Sequence, residues 1–279
     1  MKHIKGFLIH FILISVCLFC LLPFLWLTST ALRGNLENIF LYPPVFIPKY
    51  PTLDNFKKVL ELVPILKYVL NSFIVAFFTV ILNLIFSSLA AYPLARMNFK
   101  GKNFVFFLIL TTLAVPFQAI MLPVYIIILK LNLIDSVSDF NGYLGLILPF
   151  CVNAFGIFLL RQAFMVIPKE IEEQALIDGC NSFQIFYKIL LPLIKPSLSL
   201  LAIFTFVGCW GEFLWPSIVL TKQSLFTLPV GINELQGAFS ANYRLIAAGS
   251  IISIIPILLF FIVLQKYFIK GSSEGAVKG

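Results

Sequence analysis

Charge is what this sequence has least of. Asp, Glu, Lys and Arg make up 11% of its 279 residues, where a soluble domain carries about 25%, and the mean hydropathy is +1.01. A chain this poor in charge cannot cover a water-facing globule, which places it among membrane proteins. Histidine is nearly missing: His3 and His10 have no partner for a metal site or a catalytic pair. No G-x-x-x-x-G-K-[ST] segment occurs, so nothing here cradles ATP phosphates, and any ATP-derived energy must come from another polypeptide. No His, Asp or Glu cluster of the kind a membrane-embedded transferase needs is visible. One acid inside the apolar runs, without internal repeats, argues against an ion-coupled secondary transporter. Of the five cysteines four lie in apolar runs, where a thiol is inert, so Cys17-Leu-Phe-Cys20 is a C-x-x-C in spelling only.

What the chain does have is apolar length. Runs able to cross a hydrocarbon core of about 30 Å cover 7–32, 68–95, 104–129, 143–160, 198–220 and 245–268. With no water in that core to bind stray amides, each run is expected to be one helix, giving an all-α protein of six membrane spans. The first run is too long for the apolar region of a cleaved signal and ends without a small-residue cleavage site, so it is taken as retained. With both termini cytoplasmic, twelve of the 20 basic residues fall on the cytoplasmic side, a modest bias of the sign expected for a multi-pass membrane protein. That placement accounts for the net charge of +8 at helix ends; no basic stripe suggests nucleic acid. The chain is divided into an N-terminal span with its external loop, 1–67, and a five-span core, 68–279, which includes a cytoplasmic loop at 163–197. In the external loop the prolines at 43, 44, 48 and 51 enforce extended backbone, and 52–61 is predicted as a short capped surface helix. Pro116 and Pro123 in the third run and Pro256 in the sixth are either packing kinks or hinges along a pathway.

The densest acidic cluster of this apolar chain sits in loop 163–197. Pro168 suits a first helical position, Glu170, Glu172 and Glu173 complement the positive end of a helix dipole, and Ile171, Ala175 and Leu176 recur at helical spacing. Gly179 supplies a C-terminal cap. Asn181 or Ser182 can then cap a second helix, 183–191, with Phe183, Phe186, Tyr187 and Leu190 as its stripe, interrupted by Pro192 and Pro196. Two short helices meeting at a glycine elbow form a shaped cytoplasmic knob that a partner protein can grip. The alternative, an interfacial helix on anionic headgroups, sits poorly with four acids.

The series Glu173-Gln-Ala175, Asp178-Gly179, Phe183, Ile189-Leu-Leu-Pro192 and Pro196 resembles the EAA loop of the membrane subunits of binding-protein-dependent ABC importers. Asn71-Ser-Phe-Ile-Val, Ala90-Ala-Tyr-Pro-Leu-Ala-Arg96, Trp210-Gly-Glu-Phe-Leu-Trp-Pro216 and Gly275-Ala-Val-Lys-Gly279 extend the resemblance to the carbohydrate class, specifically its second permease subunit, over about residues 7 to 279. The resemblance implies a type I importer permease fold and half of a channel. Its partners would be a second permease, two copies of a cytoplasmic ABC ATPase holding ATP and Mg, an extracytoplasmic solute-binding protein, and membrane lipid. This chain would be no enzyme and would bind no cofactor itself. The loop would dock as a coupling helix on the ATPase, assigning that role to Glu173, Ala175, Asp178, Gly179, Phe183 and Pro192. Gln174 and Cys180 depart from the common pattern and would tune the fit to one ATPase.

Glu212 is the one acid inside a run and must face a cavity or a partner. Trp210 and Trp215 flank it, and aromatic planes beside one polar group suit sugar-like solutes. A substrate-lining role for Trp210, Glu212 and Trp215 stands beside the blander one, in which Trp215 anchors at the interface and Glu212 pairs with the second permease. The loop 228–244 resembles the family's segment that reaches the binding protein, through Gly237, Asn242 and Tyr243, unless it is an ordinary connection. The expected solute is a saccharide, polyol or glycosylated compatible solute, with an amino-acid or peptide importer as the runner-up.

Overall fold

The computed structural model describes residues 2–40, 42–43, 45–236 and 242–276. Among them every regular element is helical, apart from an isolated antiparallel bridge between Arg33 and Pro51. Three helices are long and apolar enough to cross a membrane unaided: Gly6–Leu32, Ile65–Arg96 and Tyr243–Val263. Three further bent pairs raise the number to as many as six.

The expectation of one continuous helix per run is corrected for three of the six. The third run divides into Lys102–Ala114 and Phe117–Lys130, meeting at 102°. Pro116 is the cause: it lacks an N–H and drives Val115 to φ −91°, ψ 111°, whereas Pro123 sits inside its helix without ending it. In the fourth region Asp139–Phe150 and Ala154–Val166 meet at 54°. There Asn153, extended at φ −142°, ψ 155°, restarts the helix by accepting the Gly156 N–H at 2.6 Å. In the fifth run the helix Lys195–Gly211 stops at Glu212 and resumes as Leu214–Val219.

Broken backbone at membrane depth needs polar partners from the protein, and the helix Ile65–Arg96 supplies them. Its Asn71, Ser72, Thr79, Asn83, Ser87 and Ser88 are buried. Asn83 Nδ2 donates to the Phe150 carbonyl at 3.2 Å, at the break in the fourth region. Asn71 Nδ2 donates to Ser224 and Phe226 carbonyls at 3.1 and 3.0 Å, and its Oδ1 accepts from Tyr143 Oη at 2.7 Å. Ser72 Oγ accepts the Leu228 N–H at 2.7 Å.

The chain forms two compact units, Met1–Leu66 with Val230–Pro256, and Lys67–Pro229 with Ile257–Gly279. In the first, Arg33 is buried, stacks on Trp26 at 5.2 Å and donates to the carbonyls of Asn38 and Val45. The short helix expected at 52–61 is present as Asp54–Leu62; it lacks a side-chain cap and is anchored by Asn55, whose Nδ2 reaches the Ala31 and Arg33 carbonyls at 2.8 Å. The second unit has two apolar centres. Ala91, Leu160, Phe164, Ala175, Ile185, Phe186, Leu190 and Leu201 form one, and Val75, Ile128, Leu146, Trp215, Val219 and Leu225 the other.

Candidate functional site

The acidic loop folds into two helices, Glu170–Ile177 and Ser182–Leu193, joined by a tight reversal. Gly179 has φ +83°, the Cys180 N–H returns to the Ala175 carbonyl at 2.9 Å, and the Gly179 N–H returns to Leu176 at 3.1 Å. That is the six-to-one and five-to-two pairing of a glycine-closed helix end. Asn181 then opens the next helix reciprocally with Gln184: Asn181 Oδ1 accepts the Gln184 N–H at 2.9 Å, and Gln184 Oε1 accepts the Asn181 N–H at 2.8 Å. Pro192 does not interrupt this helix. A π turn over Ile185–Leu190 precedes it, and the chain bends by 76° only beyond Leu193. Residues with wide-turn spacing already forgo regular partners, so a proline with no N–H is tolerated just after them.

The elbow has a sharp division of faces. Ala175, Ile185, Phe186 and Leu190 pack inward against Ala91, Leu160 and Phe164. Glu173, Asp178, Gly179, Phe183 and Pro192 are all exposed, as are Leu176, Ile177 and Tyr187. The apolar stripe expected along 183–190 is therefore split: Phe186 and Leu190 are core, while Phe183 and Tyr187 stack on each other at 6.4 Å outside it. A shallow notch in the elbow is lined by Glu170, Ile171, Gln174, Ala175, Asp178 and Ile189.

A second concave region, of about 220 Å³, surrounds the break in the fifth run. Glu212 and Trp215 both line it, together with Asn153, Thr205, Cys209 and Thr227. Glu212 Oε1 accepts the Trp215 N–H at 3.0 Å, which closes the first turn after the break, and Trp215 Nε1 donates to the Gly145 carbonyl at 3.1 Å. Trp210 does not line this cavity. It is 2% exposed and stacks on Phe206 at 5.4 Å. Asn153, Thr205 and Thr227 went unmarked in the sequence, although Asn153 follows Pro149 inside an apolar run, where a polar side chain has no reason to be unless it caps or binds.

The segment after the fifth run is tied down by Asp135, which is fully buried and accepts from Thr221 N at 2.6 Å, Thr221 Oγ1 at 2.9 Å and Lys222 N at 2.6 Å. Burial raises the pKa of its carboxyl, but these donors and the nearby Lys222 charge outweigh that and hold it below the ordinary carboxylate value. A depressed folded pKa contributes stability at pH above the unfolded value, and this is lost as pH falls through the folded one. Asp135→Asn is expected to cost about 1–3 kcal/mol at neutral pH. Its deficit should narrow on acidification below about pH 4. Thermal midpoints of the purified chain at both pH values check this; a deficit independent of pH would refute the account. Of the residues assigned to the outer loop, Asn242 caps the last helix, its Oδ1 accepting from Arg244 N at 3.2 Å, and Tyr243 lies exposed, edge-on to Phe40 at 5.5 Å. Gly237 lies outside the described residues.

Residues 83–273 match the family model for the binding-protein-dependent transport system inner membrane component. The chain belongs to that family. The permease protein AraQ of the arabinooligosaccharides transport system of Halalkalibacterium halodurans is 41% identical over 236 residues, covering 84% of this chain and 82% of that one. The diacetylchitobiose uptake system permease protein DasC of Streptomyces coelicolor is 32% identical over 259 residues, covering 92% and 90%. A solved bacterial ABC transporter involved in import of the acidic polysaccharide alginate superposes with a TM-score of 0.80 at 25% identity, over 95% of this chain and 97% of that one. The fold is thus the all-α membrane fold of a type I ABC importer permease. As a permease component the chain is a multi-pass membrane protein without an ATPase site of its own, and it works with a second permease, an ATPase and a binding protein.

Proposed function

We propose that this chain forms half of the channel through which an ATP-driven importer takes up a saccharide or sugar-like solute. The permease lies in a bacterial or archaeal plasma membrane with both termini cytoplasmic. Two copies of the ABC ATPase, holding ATP and Mg, stand beneath it and the second permease, and an extracytoplasmic binding protein delivers the solute. Relatives named for arabinooligosaccharides and diacetylchitobiose support the solute class. The observation that carries the mechanism is the elbow, with its outer face left exposed by the described residues and its inner face sunk in the core.

Glu173, Asp178 and Phe183 present the polar and aromatic contacts to the ATPase, Ala175 and Pro192 fix the two helices, and Gly179 sets the angle between them. Closure of the ATPase pair carries the elbow as a rigid lever, and the spans reopen toward the binding protein, whose contacts are assigned to Gly237, Asn242 and Tyr243. Glu212 and Trp215 line the solute path, joined by Asn153, Thr205 and Thr227, while Trp210 supports the wall from behind. Carboxylate and amide oxygens with an indole suit the hydroxyls and C–H face of one sugar ring.

The test is to tag the chain, extract it in mild detergent and identify what co-purifies. A second permease and an ATPase are expected, and the reconstituted complex with its binding protein should take up arabinotriose, maltotriose or diacetylchitobiose when ATP is enclosed. Isolation of the chain alone or as a homodimer would overturn the assignment. In the working complex, Glu212→Gln exchanges charge-assisted for neutral hydrogen bonds, worth about 1.4 kcal/mol, so KM should rise about tenfold with little loss of maximal rate. An unchanged KM would move the solute contacts to the second permease.

A further inference from the structure

The elbow touches the second span at one charged point. Arg96, the last residue of the helix Ile65–Arg96, has a side chain 5% exposed, and its Nε lies 2.8 Å from Glu172 Oε1, an ion pair without the alignment of a hydrogen bond, the Glu172 side chain being 18% exposed. The same guanidinium donates through Nη2 to the Ile167 carbonyl at 2.5 Å. One side chain therefore grips the elbow both where the chain enters it and in the first turn of its helix. The Lys222–Asp139 pair is a contrast, with its side chains 43% and 62% exposed and correspondingly little held.

Neighbouring cations are engaged otherwise. Arg161 Nε donates to the Leu94 carbonyl at 3.0 Å with its guanidinium 3.9 Å from the Phe106 ring centre, and Lys102 Nζ donates to the carbonyls of Ala95 and Met97 at 3.1 and 2.9 Å. Both hold the carboxyl end of the second span to adjacent helices, and Arg96 holds it to the elbow. Adjacent residues on a helix point about 100° apart, which explains the division between two acids: Glu172 turns inward to Arg96, while Glu173 stays exposed.

We propose that Arg96 and Glu172 are positioning residues, a pin through which movement of the elbow is passed to the second span. This deepens the coupling role proposed above and rests on it. The span is a suitable receiver: 32 residues of helix extend about 48 Å. Its Asn83 and Asn71 are bonded to the backbone at the break in the fourth region and to the segment 224–226. Displacing its end at Arg96 moves the element that holds both sites. A largely shielded attachment at two points transmits force, where a fully exposed pair would rotate away.

The test uses the complete complex with its binding protein in proteoliposomes, reading arabinotriose uptake and ATP hydrolysis on the same vesicles. Arg96→Gln and Glu172→Gln are each expected to lower uptake per ATP hydrolysed about tenfold, within the range of ordinary couplings between sites. Arg96→Lys keeps the charge but cannot span both partners, and should fall between. The exchanged pair Arg96→Glu with Glu172→Arg should regain at least half of the lost ratio, with the amount of assembled complex unchanged throughout, whereas a merely structural role would lower assembly and leave uptake per ATP as it is. Wild-type ratios in the single variants, or an exchanged pair no better than the worse single variant, would overturn the pin. Should the Gln variants fail to assemble, Arg96→Lys and the exchanged pair still decide. A wild-type complex without bound ATPase would instead overturn the elbow's role altogether.

Discussion

Gly179→Trp is expected to leave the chain in its complex and to reduce solute uptake at least about 50-fold while ATP hydrolysis continues, a coupling loss within the range of measured linkages between sites. Two physical terms separate in a short series. The first is local: at φ +83° a Cβ costs about 1–2 kcal/mol, except that Asn tolerates the left-handed region. The second is contact with the ATPase. Among the described residues, Gly179 and its two chain neighbours aside, no atom lies within 4 Å of the position a Cβ would take at Gly179, so bulk there meets none of them. Gly179→Ala should thus lower uptake several-fold through the helix angle, Gly179→Asn less, and Gly179→Trp most, because its bulk disturbs the fit between the elbow and the ATPase inside a complex that still assembles. Uptake and hydrolysis measured together on reconstituted complexes check the order. Normal uptake by Gly179→Trp would mean that the elbow does not dock at its glycine.

Much of this was legible because solvent and chirality leave few choices. Apolar length revealed the spans, and Asp178-Gly179-Cys180-Asn181 contained both the end of one helix and the start of the next, as the φ of Gly179 and the Asn181–Gln184 exchange show. What hydropathy could not report was continuity. It measures the medium around a run, while the break at Pro116 is made by the proline itself, those at Asn153 and Glu212 are closed by bonds three residues on, and only the backbone nearby finds partners far away in sequence. Asn83 meets Phe150, and Asn71 meets Phe226. The signal was present as polar residues at 71, 79, 83 and 87 of one apolar run, spaced by multiples of four and so gathered on one helical face. Trp210 and Trp215 looked alike as aromatic neighbours of Glu212, yet the break between them sends one into packing and the other to the cavity wall. Arg96, Arg161 and Lys102 counted only as cytoplasmic charge, although each is committed to a carbonyl.

The other large effect concerns folding. Gly145→Ala is expected to destabilise the permease by about 3 kcal/mol, the upper end of ordinary overpacking. A Cβ at Gly145 would run into the backbone carbonyl of Leu133, and would stand 3.4 Å from Ile128 Cγ2. A flexible side chain could turn aside from such a clash; a carbonyl in the chain that leads to Asp135 cannot, because Asp135 is held by three hydrogen bonds to 221–222. Gly145 also contributes the carbonyl that accepts from Trp215 Nε1, so a shift of its backbone opens the wall of the cavity beside Glu212. Trp215→Phe removes that hydrogen bond without the clash and should cost about 1 kcal/mol. Thermal midpoints and yields of the detergent-purified complex separate the two. A Gly145→Ala variant as stable as Trp215→Phe would show that the helix Asp139–Ile147 and the turn at Leu133 can part without loss.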